Sequence, residues 1–309
     1  PMINIVGDHA SYHLKHNAPL TSDLDGLAKS SSDWVKRVSS PEQITLCAND
    51  AWKAANESPG NIATLIVPAD YAWSDIESDL PKKVELNNLK SVDNKLIEAA
   101  YKLLLKPNSM LYLGGKFLDE ECLKFAAQIA TKTGCRLVTD TFVSRIRRGA
   151  GLPIVQQVPY FSEMAEDFLQ GTESIVFIGT KPPVSFFAYP DKKSFLSPDE
   201  AELFELCSVE ENGYEALALL SELSGSPKIA NELIRPYIAD VPTSGDLDVT
   251  TLGPLIADIM PEESIVSDES ATSSLIVTPH ALQAKPHDWL ALTGGSIGQG
   301  LPLAIGASI

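Results

Sequence analysis

Three short stretches carry residues whose types and spacing could do chemistry. The first runs from Thr293 to Ile309 and places glycines at 294, 295, 298 and 300. Such a backbone has almost no side chains, so another molecule can approach it closely. Pro302 then stands where a first helical position would, ahead of Leu303-Ala304-Ile305-Gly306-Ala307, a small-residue helix start. A glycine loop feeding a helix N-terminus is a cradle for a polar, often phosphorylated, cofactor; the same pattern also serves to pack a helix tightly against a strand. The second stretch is Asp268-Glu269-Ser270-Ala271-Thr272-Ser273, a polar turn leading into another helix. The third is the loop Asp8-His9-Ala10-Ser11-Tyr12-His13. His9 and His13, four apart, could shuttle protons near neutral pH, or could simply be solvated.

Regular elements must hold these stretches in place. Pro1-Met2-Ile3-Asn4-Ile5-Val6-Gly7-Asp8 reads as a buried strand, Ile3 to Val6, running directly into the histidine loop. A helix over 41–56 follows, and Pro59-Gly60-Asn61 punctuates before Ile62-Ala63-Thr64-Leu65-Ile66-Val67-Pro68. That nearly continuous apolar run suits a strand buried on both faces of a parallel sheet. Pro81-Lys82-Lys83 reads as a linker. From 86 to 245 the pattern alternates: helix 93–106, strand 110–113, helix around Cys122, Phe125, Ala126 and Ile129, strand 136–139, helix 161–169 and strand 174–178. Strands and helices at this spacing predict right-handed crossovers and a parallel sheet. Ligands bind such sheets at the strands' carboxyl ends, where Gly114-Gly115 and Gly179-Thr180 fall. From 246 to 309 a helix (252–260), a short strand (264–267), the polar turn and the glycine loop begin a third unit.

Composition narrows the function classes. The 309 residues suggest roughly two domains of about 150 residues. With 44 % hydrophobic and 21 % charged residues, the chain is an ordinary core-forming protein. A formal net charge of −17 repels polyanions and argues against nucleic acid as a partner. No run reaches the roughly 18 apolar residues a membrane helix needs. Cys47, Cys122, Cys135 and Cys207 show no CxxC spacing, which fits free thiols in a reducing compartment, cytoplasm by default. Arg145, Arg147 and Arg148 form a basic cluster that could hold a carboxylate or phosphate, or serve as a solvated face or a subunit contact. Residues 179–190, with Phe186, Phe187 and Tyr189, are apolar for a loop and point to an interface or pocket.

Ser267-Asp268-Glu269-Ser270-Ala271-Thr272, followed by Gly294-Gly295-Ser296-Ile297-Gly298-Gln299-Gly300-Leu301-Pro302-Leu303-Ala304-Ile305-Gly306, resembles the diphosphate-binding domain of thiamine-diphosphate-dependent enzymes, in their acetolactate synthase and benzoylformate decarboxylase branch. Ala63 to Asp70 is similar to the strand that closes that family's pyrimidine-binding domain. The resemblance implies an α/β, parallel-sheet, three-domain architecture truncated at both ends. Residues 1–80 would be the C-terminal part of the pyrimidine-binding domain, 86–245 the central domain and 246–309 the start of the diphosphate-binding domain.

By the same resemblance, Ser270, Ala271 and Thr272 would receive the diphosphate. The Gly295 carbonyl would accept from the cofactor's 4′-amino group, Ser296 beside it would belong to the cofactor-binding residues, and Ile297 would wedge between the two rings. His9 and His13 would line the substrate side. The implied activity is carboligation of 2-keto acids in the manner of acetolactate synthase, or their decarboxylation, in a homodimer or homotetramer. The family's activating glutamate and its Mg2+ motif have no counterpart in residues 1–309, so no metal ligand is expected here and the chain alone is expected to be inactive. Phe187 stands near a position where benzoylformate decarboxylases carry histidine, which counts against that particular activity. Two other readings remain: a non-catalytic nucleotide- or acyl-CoA-binding module on the central sheet, and a structural subunit whose apolar ends meet partners.

Overall fold

The computed structural model describes residues 1–77, 84–237, 241 and 244–309. The linker expected at Pro81-Lys82-Lys83 lies outside the described residues. Two compact units emerge, Pro1–Leu89 and Lys90–Ile309.

The first unit is built around the apolar run. β1 (Met2–Asp8), α1 (Leu24–Lys29), β2 (Trp34–Arg37), α2 (Ile44–Asn56), β3 (Ile62–Pro68) and α3 (Ala69–Trp73) follow in order. β3 lies between β1 and β2, parallel to both, and is the strand with the most buried residues, as its unbroken hydrophobicity requires. Cys47, Ala51 and Ala55 lie four apart on α2, so one helix face is buried; Cys47 packs against Leu65, and Ala51 and Ala55 against Ala63. The registers Met2↔Ile62 and Asp8↔Pro68 bring the carboxyl ends of β1 and β3 together, at the start of the histidine loop.

The second unit continues with α4 (Asn94–Leu104), β4 (Ser109–Leu113), α5 (Glu120–Thr133), β5 (Arg136–Thr139), β6 (Ile146–Arg148), β7 (Gln156–Gln157), α6 (Ser162–Leu169), β8 (Ser174–Ile178), β9 (Glu202–Cys207) and α7 (Gly213–Leu223). Five strands form a parallel sheet in the order β7-β5-β4-β8-β9. Alternation along β4 and β8 divides the core. Leu111, Leu113, Val176 and Ile178 pack with α4, α5 and α7, while Met110, Tyr112, Ile175 and Phe177 pack with α6. With both faces covered, β4 and β8 have no solvent side, which explains their uninterrupted apolar sequence. Asp119 caps α5 by accepting from Cys122 N at 2.8 Å, and Gly134 ends it at φ +77°. At the carboxyl ends, Gly179 sits at φ +65° against the Phe117 ring, leaving no room for a Cβ.

The same unit ends with α8 (Val249–Ile259), β10 (Ile265–Ser267), α9 (Ser274–Ala281), β11 (His287–Leu290) and α10 (Gly300–Ala307). β10 and β11 are parallel, and β11 also pairs antiparallel with β6. A strand from the middle stretch thus completes the sheet of the last stretch, and Ala281 and Trp289 share the central core. The division expected at 245/246 falls inside this unit.

Candidate cofactor-binding site

β10 delivers the polar turn. Asp268 N donates to Leu290 O, holding the turn beside the end of β11, and Asp268 Oδ1 accepts from Ser270 N at 2.9 Å and from Ser270 Oγ. Ser273 N and Oγ donate to Ser270 O, and Ser274 Oγ donates to Ala271 O at 2.6 Å. This winding holds Ala271 at φ +46° and leads into α9, whose N-terminus has no side-chain cap. Among the described residues, the N–H groups of Ala271 and Thr272 and the exposed Thr272 hydroxyl have no partner. Unpaired donors at an uncapped helix start are suited to an anion.

The glycine loop lies against this turn. Gly294, Gly295 and Gly298 take φ of +65°, +62° and +97°, and no atom lies within 4 Å of where their Cβ atoms would stand. Ile297 is carried outward, 80 % exposed, and its N–H donates to the Gly295 carbonyl at 3.0 Å. That carbonyl keeps a second lone pair for another donor.

Glu269 joins the two stretches. Its Oε1 accepts from Gly298 N and its Oε2 from Gly300 N at 2.5 Å, so one carboxylate holds both the loop and the N-terminus of α10. These two N–H groups pull the Glu269 carboxyl below the usual carboxylate range. Glu269 also explains Gly300, where a Cβ would stand 2.6 Å from Oε2. Sequence reasoning placed Glu269 in the motif without a role. The signal available was an acid beside the turn and a glycine at the helix start, but their pairing spans 31 positions.

The histidine loop belongs to the first unit. His9 and His13 come together with ring centroids 5.5 Å apart, and His16, which sequence reasoning passed over, stands 5.7 Å from His13. Carboxylates fix the loop at both ends. Asp8, its side chain buried, accepts from His9 N and pairs with Arg37, which also binds Asp25 at 2.7 Å. Asp70 accepts from Ser11 N at 2.8 Å and from Ser11 Oγ at 2.5 Å. The rings therefore gather at the carboxyl ends of β1 and β3.

The arginine cluster divides. Arg145 grips Asp288 through Nε and Nη2 at 3.1 and 2.8 Å, and Arg147 pairs with Glu263 and Glu120, all within this chain. Arg148 is buried against β11. The apolar loop carries Phe186 into ring contact with Phe142 and Tyr160 at 5.4 and 5.0 Å, while Phe187 and Tyr189 stay exposed. No group of three or more His, Cys, Asp or Glu among the described residues is arranged to hold a metal, and no helix among them is long and apolar enough to cross a membrane.

No family model matches the chain. It is 37 % identical over 317 aligned positions to a candidate acetolactate synthase large subunit, IlvX, of Mycobacterium tuberculosis, covering 100 % of this chain and 59 % of that protein. Two solved structures share the fold. A thiamine diphosphate-dependent 4-hydroxybenzoylformate decarboxylase from Rhodococcus jostii RHA1 superposes with a TM-score of 0.78 at 19 % identity, over 99 % of this chain and 61 % of that one. A benzoylformate decarboxylase from Polynucleobacter necessarius gives 0.76 at 18 % identity, over 98 % and 60 %. The chain spans about three fifths of the length of each of these relatives.

Proposed function

We propose, from the premise that this chain belongs to the thiamine-diphosphate-dependent enzymes, beside the acetolactate synthases and benzoylformate decarboxylases, that the complete gene product acts on 2-keto acids and joins them by carboligation. One observation carries this reading. The polar turn and the glycine loop, far apart in sequence, are held as a single surface by the Glu269 carboxylate.

The residues present fit the cofactor. The unpaired N–H groups of Ala271 and Thr272 and the Thr272 hydroxyl supply donors for a diphosphate, and Ser270 shapes the turn by bonding back to Asp268. The open backbone at Gly294, Gly295 and Gly298 leaves space for rings, with Ser296 beside it and the free Gly295 lone pair available to an amino group. Ile297, apolar and outward, would keep two rings apart. When bound, thiamine diphosphate supplies the nucleophilic carbon that attacks a keto group and the electron sink that permits loss of CO2. Ile297 would exclude water around that carbon, while His9 and His13 would carry protons to and from substrate oxygens. Mg2+ enters by resemblance alone, with ligands supplied from outside residues 1–309. A homodimer or homotetramer, and a cytoplasmic setting, belong to the same proposal.

The test is to incubate the complete gene product with thiamine diphosphate, Mg2+ and pyruvate, beside an Ile297→Gly variant. Carboligated product that falls sharply in the variant supports the reading. Release of CO2 with only aldehyde formed moves the assignment to decarboxylation, and inertness toward a panel of 2-keto acids despite cofactor binding overturns the substrate class.

A further inference from the structure

We propose that His16 completes a row of three imidazoles with His13 and His9, and is the solvent-facing member through which protons enter. The inference rests on the reading above, in which His9 and His13 move protons for a 2-keto acid reaction. The balance of that reaction sets the demand. Two 2-keto carboxylates give one joined product and CO2 only if one proton is taken up, because one carboxylate charge disappears with neutral CO2. The electron pair of the broken carbon–carboxyl bond ends in the new carbon–carbon bond, and the proton ends on the oxygen of the attacked keto group. Decarboxylation to an aldehyde also takes up one proton, which ends on carbon. Either way, each turnover draws one proton from solvent.

The loop is wound so that the rings stand in sequence. His13 N donates to Ala10 O at 2.8 Å, and His16 N donates to His13 O at 3.0 Å. Leu14–His16 forms a 3-10 turn that Asn17 closes at φ +45°. Side chains three apart stand over one another in such a turn, which brings His16 onto His13. Centroid spacings of 5.5 Å (His9 to His13) and 5.7 Å (His13 to His16) let ring nitrogens meet directly or through one water. Exposure is graded along the row: His9 and His13 are half-buried, and His16 is exposed. Among the described residues, no hydrogen bond or ion pair engages any of the three rings. The loop's carboxylates are committed elsewhere, Asp8 to Arg37 and Asp70 to Ser11, and Lys15 is exposed. Nor do the rings converge as metal ligands would. An imidazole takes a proton on one nitrogen and gives one from the other. Protonated His16 therefore hands its proton to His13, and water or buffer reloads His16.

The test compares the complete gene product with His16→Gln, and with Lys15→Gln as a control from the same loop. Turnover of pyruvate would be measured at low and at high buffer concentration, with thiamine diphosphate and Mg2+ present. In dilute buffer, His16→Gln should lose about tenfold in kcat with KM nearly unchanged, and added imidazole should restore the rate. Lys15→Gln should match the parent throughout. A loss that imidazole does not restore would make His16 a structural residue, and full activity in dilute buffer would remove it from proton transfer. A second arm needs no turnover. Exchange of the His13 ring N–H with water, followed by nitrogen-15 NMR without cofactor, should slow in His16→Gln and recover with imidazole. Unchanged exchange overturns the relay. Slowed exchange in a protein inert toward 2-keto acids would uphold the row of rings while contradicting the proposed function.

Discussion

Glu269 is the side chain on which the site depends most directly, because it bonds two backbone N–H groups from a distant segment. Its carboxyl is depressed in the folded chain, so its contribution is fully present above the unfolded carboxylate range. It is lost as pH falls through the lower folded value. Amide hydrogen exchange at Gly298 and Gly300 should therefore quicken in acid and in Glu269→Gln at neutral pH; unchanged protection in the variant would contradict this role. His287 titrates in a related way. Burial pushes it down to about 4, so the unfolded chain, near 6.5, binds the extra proton between those values. Stability should be intact above about pH 6.5 and fall toward pH 4, by at most about 3 kcal/mol, with a flatter profile in His287→Gln. In the complete gene product, His13→Ala should lower kcat by roughly a hundredfold or more while leaving cofactor affinity nearly unchanged, if His13 moves protons.

At the scale of elements, position and burial decide what can be substituted. Gly179→Ala asks an alanine to hold φ +65° against the Phe117 ring, and should cost about 2–5 kcal/mol in a denaturant melt. A Gly134→Ala change, at φ +77° in open space, should cost less, about 1 kcal/mol. Strands buried on both faces were legible from sequence because burial forbids polar breaks: β3 read as a nearly continuous apolar run, and β4 and β8 as strands closing on glycines. α5 was legible through its one-sided spacing of Cys122, Phe125, Ala126 and Ile129. β6 was hidden, since two of its three residues are arginines, and a charged strand is buried here only because Glu263, Glu120 and Trp289 meet it from afar. β2 was hidden for a similar reason, with Lys36 and Arg37 satisfied by Asp50, Asp8 and Asp25. For the site, the glycine loop and turn could be named from residue types, but the Glu269 bridge and the approach of His16 to His13 are products of folding.

For the molecule as a whole, the β6–β11 ladder and the shared core make residues 90–309 one cooperative body. Expressed alone, that stretch should unfold in a single transition, with Trp289 fluorescence and far-UV circular dichroism coinciding; separate transitions would divide it near 245/246. The central claim, that the Asp268–Ser273 turn and the Gly294–Gly300 loop together form a thiamine diphosphate site, is met most directly by calorimetry on the complete gene product. Thiamine diphosphate with Mg2+ would be titrated into the parent and into Gly300→Ala, whose Cβ displaces the Glu269 carboxylate. The account predicts saturable binding to the parent, weakened at least tenfold in a variant that remains folded. Equal binding by both proteins, or none by a folded parent, would contradict it.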